Sequence, residues 1–245
     1  MGYIIAVTVL CAAILFTAAS IIYKLFFRKA VTRDGFTVTA HSGCMGLPDN
    51  SLEAMEAGIN AGADIVEFDL NYTAEGEPVL SHNKPAPDDN CVTLREAFEF
   101  LAKHPGIKAN VDVKSTEHLE TVKPLAEETG VLSQIFFTGV GESFVPDVKE
   151  KAPGIPYYLN LSGINSVKAA ADKVEKAGAI GINLNHSSAS ASLCREMHRH
   201  SLLASVWTVN AKMKARYVLG MKPDNITTRQ PDMLCALLKK AGKAE

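Results

Sequence analysis

The chain has 245 residues, 47% of them hydrophobic, and a formal net charge of −2, enough to bury a full core. A near-neutral charge, with no basic patch interleaved with aromatics, excludes a nucleic-acid partner on electrostatic grounds. Five scattered cysteines with no CxxC pair exclude a disulfide framework and a structural zinc site.

The first segment is compositionally distinct. Between Met1 and Lys24 no side chain is charged. At ~1.5 Å per residue this run of about 22 residues would span ~33 Å as a helix, enough for a hydrocarbon core of ~30 Å. The basic residues Lys24, Arg28, Lys29 and Arg33 all follow it, so the positive-inside rule puts the remainder on the cytoplasmic side. The expectation is a single-pass membrane protein with a transmembrane anchor at 1–24, a basic linker at 25–35 and one domain at 36–245.

From residue 36 the pattern alternates. A strand at 36–41 precedes a helix at 51–62 whose apolar positions are Leu52, Met55, Ala57 and Ile59. The stretch 64–71, DIVEFDLN, is apolar on both faces, as in a strand buried on both sides. An extended piece at 78–82 leads to a helix at 93–104 that Thr93 and Glu96 open as a capping box. Strands then follow at 108–114, 134–138, 155–160, 179–185, 202–209 and 225–228. Helices alternate with them at 117–129, 142–151, 166–177, 189–200, 212–219 and 232–240. Eight strand–helix units in about 210 residues describe a (β/α)8 TIM barrel. A doubly wound sheet would want a GxGxxG turn after its first strand, and the sequence has none.

Within 64–71, Glu67 and Asp69 are two apart and therefore share a face. Paired buried carboxylates need a positive partner, and a hard divalent cation suits oxygen ligands. The bland alternative is an edge strand with a solvated acidic face. A barrel sets its chemistry at the C-terminal ends of its strands, and polar residues collect there. They are His41, Glu67, Asp69, Asn71, Asn110, Asp112, Lys114, Asn160, Asn183, Asn185, Trp207, Asn210, Thr227 and Thr228, with His82 closing the extended piece. Of the other histidines, His104, His118, His198 and His200 read as surface residues, and His186 as a candidate substrate contact.

These residues carry a resemblance. AHSG at 40–43, PDNS at 48–51, GADIVEFDL at 62–70, PVLSHN at 78–83, NVDVK at 110–114, VWTVN at 206–210 and DNITTRQP at 224–231 occur in order. The set resembles the glycerophosphodiester phosphodiesterase family from about residue 36 to 238. The resemblance implies Glu67, Asp69 and Asp112 as ligands of Mg2+ or Ca2+, and His41 and His82 as the acid–base pair. It implies phosphate or substrate contacts at Ser42, Lys114 and Trp207. The implied substrate is a glycerophosphodiester or a lysophospholipid. The implied reaction is metal-dependent hydrolysis in which a neighbouring hydroxyl of the substrate attacks and histidines move the protons.

The sequence departs from the family pattern in places. Ser42 stands where an arginine normally follows the first histidine, which leaves Lys114, Lys84 or Arg229 to supply phosphate contact, Lys114 being best placed. Asp49 replaces a glutamate, Asn83 an aspartate, and Asp112 a glutamate, shortening the third ligand arm by about 1.5 Å. Thr228 replaces an acid. Only about ten residues separate His82 from Thr93, so the insertion usual there is nearly absent. Two rivals remain: an inactive headgroup-binding module on the same barrel, and a Schiff-base enzyme built on Lys114.

Overall fold

The computed structural model describes residues 2–26 and 32–242. Strand β1 (Thr37–Ala40) starts the barrel, followed by helix α2 (Leu52–Asn60), β2 (Ile65–Tyr72) and β3 (Pro78–Leu80). Then come α3 (Leu94–Ala102), β4 (Lys108–Val113), α4 (Val122–Glu128), β5 (Ile135–Val140), α5 (Val145–Lys151) and β6 (Tyr157–Asn160). The chain closes with α6 (Val167–Ala177), β7 (Gly181–Asn185), α7 (Ala191–Arg199), β8 (Leu203–Trp207), α8 (Lys212–Leu219), β9 (Asn225–Thr228) and α9 (Pro231–Gly242). Helix α1 (Gly2–Phe26) precedes them all.

Neighbouring strands run β1-β2-β4-β5-β6-β7-β8-β9 and back to β1, all parallel, so eight strands close into a TIM barrel. Strand β3 is an addition: it pairs antiparallel with the upper end of β2, Leu70 opposite Leu80 and Tyr72 opposite Pro78. All eight residues of β2 are buried, because one face meets the barrel interior and the other the helical layer. Phe68, Phe98 and Phe137 are fully buried in that layer, each worth ~1.5–3 kcal/mol relative to exposure.

Side-chain caps set where helices begin. Ser51, Thr93, Ser166 and Ser190 each accept a backbone N–H from the first turn of the helix they open. Thr93 and Glu96 complete the expected capping box. At the opposite end from the site, Asp224 joins three elements. It takes Arg33 at 3.1 Å, His198 Nε2 at 2.8 Å and the Ala204 amide at 2.8 Å. His198 is thus a structural partner and largely buried, not the surface residue expected from its helical position.

The first segment corrects the sequence reading. No helix among the described residues is long and apolar enough to cross a membrane, which overturns the transmembrane anchor at 1–24, the membrane partner and the cytoplasmic orientation derived from it. The middle of the expected basic linker, 27–31, lies outside the described residues.

Candidate active site

At the C-terminal ends of the strands lies a cavity of about 590 Å³. Strand register builds its acidic wall. Glu67 is level with Asn110, and Asp69 with Asp112, so Asp69 and Asp112 lie side by side on adjacent parallel strands. Like charges in that relation repel unless a cation intervenes. Glu67, Asp69 and Asp112 each offer an oxygen, all within 4.8 Å of one another.

Each carboxylate has a different environment. Glu67 accepts the Ser42 amide at 2.8 Å. Burial, then the charges of Asp112 and Asp69, push its pKa well above the ordinary carboxylate value despite that bond. Burial acts upward on Asp69 too, but the Lys114 ammonium and the Asn50 side chain outweigh it and hold its pKa below the usual value. Asn50 grips Asp69 from both ends: its Nδ2 donates to the carboxylate at 2.9 Å, and its Oδ1 accepts the Asp69 amide at 2.9 Å. Asp112 Oδ1 accepts from Thr138 at 3.1 Å. Gly139, at a φ of 73°, lets β5 pass behind it; a Cβ there would overlap the Asp112 carboxylate and the Val113 backbone.

Two histidines flank this wall. His41 Nδ1 stands 3.6 Å from Glu67 and 3.1 Å from the Ser42 hydroxyl, with its side chain 24% exposed. Its pKa is lowered, first by burial and then by the Arg229 charge. His82 Nδ1 stands 3.5 Å from Asp69, with its side chain 68% exposed at the mouth. The Ser81 amide donates to the Asp69 carbonyl at 3.0 Å and ties this rim to β2.

Residues 40–86 and 82–233 match the model of the Glycerophosphoryl diester phosphodiesterase family. The chain belongs to this family.

The chain is 28% identical to human Glycerophosphodiester phosphodiesterase 1 over 47% of its own length, and spans 45% of that relative's. Two solved structures share the barrel. A glycerophosphodiester phosphodiesterase from Agrobacterium tumefaciens superposes with a TM-score of 0.69 at 16% identity, over 82% of this chain and 99% of that one. A phosphodiesterase from Oleispira antarctica, in complex with sn-glycerol-3-phosphate, gives 0.70 at 19% identity, over 83% and 96%. At these identities the likeness is one of fold.

Measured against the glycerophosphoryl diester phosphodiesterase pattern, the expected residues gather in one cavity: His41, Ser42, Glu67, Asp69, His82, Asp112, Lys114 and Trp207 all line it. Two of them also make contacts within the protein. Ser42 is buried, with its amide on Glu67 and its hydroxyl beside His41. Lys114 bridges Asp69 at 2.9 Å and Asp112 at 2.6 Å. Burial works against its charge, but the two carboxylates hold its pKa above the ordinary lysine value. The cation beside His41 is Arg229, from the turn after β9, gripped by Asp49 at 2.7 and 3.1 Å. Gly43 makes room for that pair, since a Cβ there would overlap both side chains. Lys84 pairs with Glu117 at 3.9 Å, and His186 meets Lys214 at 2.8 Å; neither lines the cavity. Asn50 escaped residue-by-residue reading. Its one signal was its place before the Ser51 cap, where asparagine tolerates the left-handed backbone (φ 59°) found here.

The donor set fits a hard divalent cation. Three carboxylates converge, and Glu67 is buried without a cationic side chain in hydrogen-bonding contact among the described residues. Oxygen-only ligation suits Mg2+ or Ca2+ over softer metals.

Proposed function

We propose that this chain is a phosphoric diester hydrolase that cleaves glycerophosphodiesters to an alcohol and glycerol phosphate. One observation carries the reading: two imidazoles, each beside a different carboxylate of a three-carboxylate cluster, converge on one cavity. The Oleispira antarctica neighbour bound to sn-glycerol-3-phosphate supports the same chemistry. Glu67, Asp69 and Asp112 would hold the metal. When bound, it would neutralise charge on the phosphoryl group and acidify the attacking hydroxyl.

The side chains do the rest. His41 is recessed and neutral near pH 7, so it is suited to take the proton of the attacking substrate hydroxyl. The charges of Asp69, Asp49 and Asp112 favour the imidazolium that results. His82, at the mouth with its Nδ1 3.5 Å from the Asp69 carboxylate, is placed to donate the proton to the leaving oxygen. Such proton transfers are each worth ~10²–10⁴-fold. Arg229 and Lys114 face the phosphodiester as cations, Arg229 with the fork geometry that suits phosphate oxygens. Trp207 offers a flat surface to the alcohol part.

The test is release of glycerol phosphate from a panel of glycerophosphodiesters and lysophospholipids, with EDTA and with Ca2+ or Mg2+ restored. The short 83–92 connection motivates the lysophospholipid arm, since it leaves the rim open. Metal-restored turnover that falls at least 100-fold in His41→Ala and in His82→Ala is the expected result. A folded chain that binds headgroups without turnover in any metal would instead be a binding module.

A further inference from the structure

Across the barrel from the acidic wall lies a wall of opposite character. Four strand steps separate β2 from β7, and four separate β4 from β8, so the ends of β7 and β8 face Asp69 and Asp112 over the cavity. Asn160 and Asn183 are level with each other on β6 and β7, and Trp207 ends β8. All three line the cavity. Asn160 Oδ1, Asn183 Oδ1 and Trp207 Nε1 are buried and have no hydrogen-bond partner among the described residues. Asn183 is only 7% exposed.

Buried polar atoms without partners are rare in folded proteins, and each asks for an explanation. These three belong to residues that line one cavity. They comprise acceptors and a donor and carry no charge. Turned either way, each amide presents both a donor and an acceptor. A hydroxyl group also donates and accepts, so several hydroxyls satisfy this set at once. A trimethylammonium group does neither and would leave all three stripped of water. Sites built to hydrogen-bond a hydroxyl reject analogues lacking it far more strongly than apolar pockets reject an extra group.

We infer that the Asn160–Asn183–Trp207 wall is the subsite for the leaving alcohol and selects a polyhydroxylated one, of the inositol or glycerol kind, over choline. This rests on the hydrolytic reading above, in which the attacking hydroxyl and the phosphodiester occupy the acidic side.

Trp207 is the one tryptophan of the sequence, so its fluorescence reports occupancy of this wall directly. The experiment uses the full chain carrying His41→Ala and His82→Ala, which stops proton transfer without touching the wall, with Ca2+ or Mg2+ present. Glycerophosphoinositol and glycerophosphocholine are titrated separately. Glycerophosphoinositol should bind at least tenfold more tightly, about 1.4 kcal/mol. Adding Asn183→Leu, or Asn160→Leu as a second variant, should shrink the gap to within about threefold by weakening the inositol ligand alone. Equal affinities, tighter choline binding through the indole face, a gap that survives both leucine variants, or no saturable signal from either ligand would each overturn the inference. A tenfold gap alongside a wild-type chain that turns over neither diester would sink the hydrolytic reading and leave the selective wall standing.

Discussion

Replacing Asn50 with alanine removes both hydrogen bonds to Asp69 at once, and the structure lets the cost be built up from parts. The bond to the ionised carboxylate is of the charged kind, ~1.5–3 kcal/mol. The Asp69 amide, on a residue 3% exposed, would lose its acceptor, ~1–3 kcal/mol. Position 50 is left-handed, at a φ of 59°, which charges alanine a further ~1–2 kcal/mol. Asn50 itself is half-buried, so water will recover part of this, and a net loss of about 3–5 kcal/mol is expected. Asn50→Gly loses the same bonds but accepts the backbone, so it should be about 1 kcal/mol milder. Urea unfolding of both variants in metal-free buffer measures the difference. Calcium binding should also weaken by ~10–100-fold, because a carboxylate ligand loses its support. A loss below about 1 kcal/mol for alanine, or a glycine variant as costly as alanine, would refute the reasoning.

Other consequences are as direct. Arg229→Gln removes a charge that lowers the His41 pKa, so that pKa should rise toward ~6.5 and the acid limb of kcat/KM should move to higher pH; an unmoved limb speaks against His41 as the base. The sign for stability follows from the same shift. Folded His41 binds protons less readily than the unfolded chain, so its effect is absent above ~6.5 and becomes destabilising as pH falls toward the lowered value; a His41→Gln variant should flatten that part of a stability–pH curve. Gly139→Ala meets both a positive φ and the Val113 backbone, neither of which can relax, so it should lose at least ~2 kcal/mol in thermal unfolding. Gly43→Ala meets only side-chain ends; it should unfold within ~1 kcal/mol of wild type yet raise KM by displacing Arg229. Thr93→Ala, which breaks the capping box, should cost ~1 kcal/mol and leave kcat unchanged.

The barrel was legible because its signals are local and repeated. Strand–helix alternation, apolar runs and serine or threonine caps each appear within a dozen residues, and the carboxylates at 67, 69 and 112 could be placed at one rim from strand ends alone. What escaped depends on partners distant in the chain. Nothing near Lys114 announces that Asp69 and Asp112 fall level across β2 and β4 and claim its ammonium; that is a matter of register. His198 reads as an exposed helical position, yet Asp224, 26 residues on, draws it in. Arg229 and Asp49 meet across 180 residues, through a gap that only a glycine at 43 leaves open. The uncharged opening segment was judged by composition and length along the whole run, and that reading did not survive.

Strand β3 has a bearing on how such a site can diversify. It hangs outside the closed cylinder and carries His82 just beyond its end. Its base is clamped by the Leu80 amide on the Val92 carbonyl at 2.8 Å and by the bridge between Val79 and Thr93. Everything from His82 to Val92 therefore leaves and re-enters the fold at a fixed pair of posts. Lengthening such a loop costs only about 0.6 kcal/mol per doubling, and shortening it recovers as little. Residues can be added or removed there without shifting the histidine against Asp69. The rim is in effect a detachable fitting on a fixed frame, and in this chain the ten residues 83–92 make it up.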